Sequence, residues 1–132
     1  MKKLIGAIVS ILLTFMSCTT GDEALLKAGI DDANQDYPEI IDEGLTIERI
    51  EIIGGYVTYI VSVDEEQYKI KTLQENIPNL KESIVRKVLL SGDYEMLEFA
   101  RLCKKAKKGL AYSYEGNHSG EKAVVKIPCS EL

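Results

Sequence analysis

Residues 4–15 form one continuous apolar run; beyond it the hydrophobic positions change period several times. Ala24, Leu25, Leu26, Ala28, Ile30 and Ala33 recur at helical spacing, with Asp22 placed to cap the start. Tyr37-Pro38 ends that region, because the residue before proline is pushed out of helical geometry. Residues 45–53 and 56–63 then alternate around Gly54-Gly55, the pattern of two strands joined by a tight hairpin turn. Pairing across that turn predicts Ile52 opposite Val57, Ile50 opposite Tyr59 and Glu48 opposite Val61, an apolar face that meets the core. The opposite face carries Arg49, Glu51, Tyr56, Thr58 and Ser62, with Ile47, Ile53 and Ile60 among them, a mixed surface suited to solvent or a partner.

Thr72 to Glu75 reads as a capping box, and Pro78 sits where a helix restarts with proline in its first turn. Leu80, Ile84, Val85, Val88 and Leu89 keep helical spacing up to Ser91-Gly92. Asp93 caps the next helix, with Met96, Leu97, Ala100 and Cys103 on one face and Gly109 as its stop. Residues 110–115 and 121–127 alternate again around a glycine-flanked loop containing His118. The order αββααββ predicts an α+β domain: a four-stranded antiparallel sheet of two hairpins with helices packed on one face.

The apolar run changes the picture of where the protein works. Lys2 and Lys3 precede it and Ser17-Cys18 follows. Twelve residues from Leu4 to Phe15 span roughly 18 Å as a helix, short of the ~30 Å of a bilayer core. The pattern resembles a lipoprotein signal, residues 1–17, cleaved before a lipidated Cys18. Residues 18–22 then form a lipidated cysteine with a short tether, and 23–132 a single domain that sits close to the membrane. By the same resemblance, Thr20 two places after the cysteine favours the outer membrane, and the leaflet stays open.

Loss of Lys2 and Lys3 moves the net charge from −5 to −7, which is unsuited to nucleic acid, whose affinity rests on neutralising phosphates. Residues 22–66 hold 13 acids and 2 bases, and residues 67–132 hold 8 acids and 12 bases. Lys104, Lys105, Lys107 and Lys108 are a solvated helix end or, as the sharper alternative, a lipid head-group contact. An exported chain lives where disulfides persist, and the expected hairpin pairing brings Cys129 near Cys103. A bridge there closes a loop of about 25 residues, worth ~3 kcal/mol in the chain-entropy model.

Catalytic constellations are not visible. His118 is the one histidine, Cys103 and Cys129 lack the spacing of zinc ligands, and no phosphate-binding glycine motif occurs. The acids match no calcium loop. No catalytic, metal or cofactor site is therefore expected. The candidate contact surface is Tyr56 with Thr58, Arg49 and Glu51. From Asn34 onward the chain resembles a loose group of small bacterial envelope proteins, many of them lipoproteins, that has no assigned activity. The likeness is carried by Asn34, Pro38 and Ile41-Asp42, by Tyr56 to Tyr59, by Gly109 to Tyr114 and by the closing hairpin to Cys129. Tyr37 stands where relatives often have cysteine. The resemblance implies an envelope location and carries over no active residues. The expected role is a non-enzymatic protein-binding or assembly module anchored to the membrane through lipid on Cys18. The alternatives are a carrier or sensor of a small apolar ligand, an inhibitor or immunity protein, and an enzyme using paired carboxylates.

Overall fold

The computed structural model describes residues 21–132. The signal segment 1–17 and Cys18 lie outside the described residues. The chain runs α1 (Gly21–Asn34), β1 (Glu39–Asp42), β2 (Leu45–Ile53), β3 (Tyr56–Val63), α2 (Ile70–Glu75), α3 (Ile77–Val85), a π-helical turn (Arg86–Leu90), α4 (Tyr94–Lys105), β4 (Gly109–Gly116) and β5 (Lys122–Ile127).

The sheet corrects the expected one. It has five strands in the order β1-β2-β3-β4-β5, and β3 and β4 are parallel. A four-stranded antiparallel sheet is therefore ruled out. The physical reason is the crossover: parallel neighbours require a long connection, and residues 70–105 supply it as helices. The additional strand, β1, is short, with all four residues exposed, so it leaves no alternating pattern.

Local geometry follows the sequence in part: the expected caps at Asp22 and Thr72 do not form, because Asp22 lies within α1 and α2 already starts at Ile70 behind Lys69. Gly54 and Gly55 both adopt positive φ, 54° and 82°, as a two-residue hairpin turn requires. Ile50 faces Tyr59 and Ile52 faces Val57, but Ile47, not Glu48, faces Val61. The register shifts between Ile47 and Arg49, so Glu48 bulges out and Ile47 turns inward to 7% exposure. In the second hairpin Leu110 pairs with Ile127 and Glu115 with Lys122, one residue away from a pairing centred on His118. Asp93 caps α4 by accepting from the N–H groups of Glu95 and Met96. That helix ends at Lys105, and the left-handed residue that closes it is Lys107 rather than Gly109. Lys107 takes φ 59°, and the Lys108 N–H reaches Cys103 O at 2.9 Å, a Schellman closure built on a non-glycine residue.

Apolar side chains of every helix pack on one face of the sheet, with Leu26, Ile70, Val88 and Phe99 among them. The centre of the core is aromatic: Tyr59 stacks on Tyr112 at 4.7 Å between centroids and meets Phe99 edge-on at 6.3 Å. The Tyr59 hydroxyl is fully buried and has no hydrogen-bond partner among the described residues. Burial without compensation drives its pKa well above the ordinary phenol value. Removing such a hydroxyl removes an unbalanced desolvation cost, so Tyr59→Phe is expected to raise stability by ~1 kcal/mol. Urea unfolding checks this: the midpoint should rise at constant slope. A lower midpoint would instead reveal a polar partner for that hydroxyl, such as a buried water.

Candidate functional site

The second face of the sheet is left without a helix over it, among the described residues, because the crossover packs entirely on the first. Strand alternation fixes its membership. Once the bulge at Glu48 has reset the phase, Arg49, Glu51 and Ile53 of β2 point to this face, with Tyr56, Thr58 and Ile60 of β3. The parallel register then sets Thr58 beside Ala111 and Ile60 beside Ser113. Gly109, Ala111 and Ser113 are all small, so the β3–β4 seam is a trough between taller flanks.

That trough forms a groove of about 230 Å3 lined by Ile53, Tyr56, Thr58, Ala111, Ser113 and Val124, with Lys122 and Lys126 along the β5 flank. A second hollow of about 160 Å3 continues it past Glu115 to Glu48, Arg49 and Ile60. Thr58 and Ser113 are buried in the floor, at 4% and 5% exposure, although no helix among the described residues covers them. Their hydroxyls are satisfied locally: Thr58 Oγ1 donates to Tyr56 O at 3.2 Å, and Ser113 Oγ donates to Glu115 Oε2 at 3.1 Å. Lys126 Nζ lies 5.1 Å from the centre of the Tyr56 ring, a cation–π contact that pins the ring as one wall.

The structure brings all four residues of the expected contact surface to one face. Tyr56 and Thr58 line the groove, while Arg49 and Glu51 form an exposed ion pair at 2.9 Å along the other flank. An exposed pair of this kind is worth at most about 1 kcal/mol, so Arg49 and Glu51 are available to exchange partners. Sequence reasoning missed the β4 and β5 half of the site, Ala111, Ser113, Val124, Lys122 and Lys126. The one signal for it was the row of small residues alternating with Leu110, Tyr112 and Tyr114.

The remaining chemistry-bearing groups are placed elsewhere. Cys103 is buried in the core, and burial pushes its thiol up to about 12. Cys129 donates weakly to Lys104 O at 3.7 Å, and both cysteines are free thiols. The expected Cys103–Cys129 bridge is thus not formed in this structure. The one-residue shift of the closing hairpin removes the pairing on which it was based. His118 contributes its backbone N–H to a latch at the end of the sheet. There, Glu65 accepts from the N–H groups of Ser119 and His118, both at 2.7 Å, and from Ser119 Oγ at 2.9 Å. Those bonds, led by the Ser119 N–H, hold the Glu65 carboxyl below its ordinary pKa. No three metal-ligating side chains converge among the described residues. What the groove offers is a floor of hydroxyl and methyl groups, an aromatic wall and a cationic flank.

The fold and the groove define a class: a small α+β domain with a mixed sheet, armoured by helices on one side and open on the other. Among solved structures, PA3611 from Pseudomonas aeruginosa, described by inference as a secreted protein, shares this fold with a TM-score of 0.65. The similarity covers 83% of this chain and 91% of that chain at 12% identity, so it is a likeness of fold. No protein-family model and no curated protein matches the chain. No helix among the described residues is long and apolar enough to cross a membrane.

Proposed function

We propose that this is an exported, lipid-anchored envelope protein that binds another protein through the open face of its sheet. The observation that carries the reading is the groove along the β3–β4 seam, preformed and left uncovered by the helices among the described residues. The groove is a trough on the sheet surface rather than an enclosed cavity in the core, which favours a protein ligand over a carried apolar molecule. Export and anchoring are supported by Lys2-Lys3, the apolar run 4–15 and Ser17-Cys18, and export also by the structural neighbour described by inference as secreted. An inhibitor or immunity role falls within the same reading, with an enzyme or toxin as the partner.

Site-specific photocrosslinking in native envelopes tests it. A crosslinker at Val124, on the groove, should give one discrete adduct. The same crosslinker at the exposed Lys71 on α2 should give none. The adduct should weaken in Cys18→Ser, which lacks the lipid attachment point. Equal labelling from both positions, or labelling from neither, would remove the open face as the binding surface.

A further inference from the structure

The open edge of the sheet carries an inference separate from its open face. The two outer strands are finished differently. At β5 the crossover covers the start of the strand: Gln74 Nε2 donates to Lys122 O at 2.9 Å, and Ile84 and Val88 of the crossover extend the core beneath it. Past the end of β1, the edge of β2 is also closed. Asn34 Nδ2 donates to Ile50 O at 3.0 Å and Asn34 Oδ1 accepts from Ile50 N at 2.7 Å, so a side-chain amide stands in for a missing strand. The rest of that edge is β1, which among the described residues pairs with β2 alone.

β1 contributes almost nothing to the core. All four of its residues are exposed, with Ile40 at 76% and Ile41 at 36%. Two β-branched apolar side chains on one short strand, without cover, are an unfinished surface. A strand laid against β1 would take up its free main-chain groups and shelter both isoleucines. Charge then selects the occupant. Glu39, Asp42 and Glu43 are all exposed in and beside the strand, within the acid-rich half of the chain. A second copy paired through its own β1 would bring these carboxylates against like carboxylates, which is unfavourable for directly opposed strands. At the other outer edge, β5, Gln74 holds the first carbonyl, that of Lys122.

We propose that β1 is an acceptor edge for an extended, basic, β-branched segment of another protein, which joins the sheet as a further strand. The neighbouring Tyr37 senses the same acidity. Burial first, then Glu39 and Asp36, raises its hydroxyl to about 12.

The test uses the full chain in nonionic detergent and a fluorescein-labelled peptide of alternating lysine and valine, read by fluorescence polarisation. The peptide should bind. An analogue N-methylated at alternate residues, unable to make strand hydrogen bonds, should not bind. Glu39→Lys with Asp42→Lys should weaken binding about tenfold or more and instead favour an alternating glutamate–valine peptide. Ile40→Ser should also weaken it, with the melting temperature little changed because Ile40 is 76% exposed. Val124→Glu on the open face should leave peptide binding intact. Equal binding of the N-methylated analogue would reduce the contact to surface charge and overturn the proposal, as would indifference to the charge reversal. Loss of binding in Val124→Glu alone would place the segment on the face, leaving the open-face reading standing and the edge proposal refuted. A dimer in sedimentation that Ile40→Ser abolishes would make the occupant a second copy, and the proposal would fail.

Discussion

Asn34→Ala is expected to lower stability by about 3 kcal/mol, a large loss for one amide at the end of a surface helix. The cost arises at Ile50, in the middle of β2, whose side chain is 1% exposed. Its N–H and C=O are both held by the Asn34 side chain, at 2.7 and 3.0 Å. Alanine leaves both main-chain groups unpaired in a half-buried position, at roughly 1–3 kcal/mol each, partly recovered by entering water. Asn34→Asp separates the roles: it keeps the acceptor for Ile50 N–H but offers no donor to Ile50 O, and should lose about half as much. Urea denaturation of the three proteins at neutral pH gives the comparison. Equal stability of Asn34→Ala and wild type would mean that the amide does not seal the β2 edge. The substitution also exposes a new stretch of strand edge, so the alanine variant should aggregate more readily on partial unfolding.

The second large effect is expected at Gly109. Alanine there would place its Cβ 2.5 Å from Tyr56 Cε2 and 2.7 Å from Ile127 O. Neither neighbour yields cheaply: one is an aromatic ring pinned under Lys126, and the other is the backbone of β5. Gly109→Ala is expected to cost ~3 kcal/mol, at the upper end for overpacking by one methyl group. The effect reaches the proposed function, because the ring that must move is a wall of the groove. Tyr56→Ala removes the clash, so the double variant Gly109→Ala/Tyr56→Ala should be more stable than the sum of its single losses predicts. Strict additivity in that cycle would show that the Tyr56 ring does not press on Gly109. Crosslinking from Val124 should fall in both single variants.

These two positions also show how far the fold is legible in the chain. The hairpin at Gly54-Gly55 and the α4 cap at Asp93 are local events, written in a few consecutive residues, and they form as the residues predict. Glu48 was misplaced because a bulge costs one residue of phase and leaves no signature except that Ile47 belongs inside. Gly109 reads as a helix stop, yet its lack of a side chain is demanded by Tyr56 and Ile127, 53 positions before it and 18 after it. Lys107 fills the left-handed position where glycine is the usual choice, which composition does not anticipate. β1 is four exposed residues whose only restraint is pairing with β2, and no periodicity exists in so short a strand.

Half of the candidate surface was readable for the same reason. Arg49, Glu51, Tyr56 and Thr58 share one hairpin, where alternation alone sorts the faces. Ala111, Ser113, Val124 and Lys126 join them only through the parallel β3–β4 pairing. By itself the sequence determined the helical and alternating segments, the Gly54-Gly55 turn, the Asp93 cap and the uneven distribution of charge. All of these depend on residues within one or two turns of each other. Tertiary structure decided the strand order, the parallel seam, the groove and the open β1 edge. Those depend on where a crossover of some 36 residues, 70–105, comes to rest, and that is settled by burial of Phe99, Val88 and Ile70 against a sheet that exists only once the chain has folded.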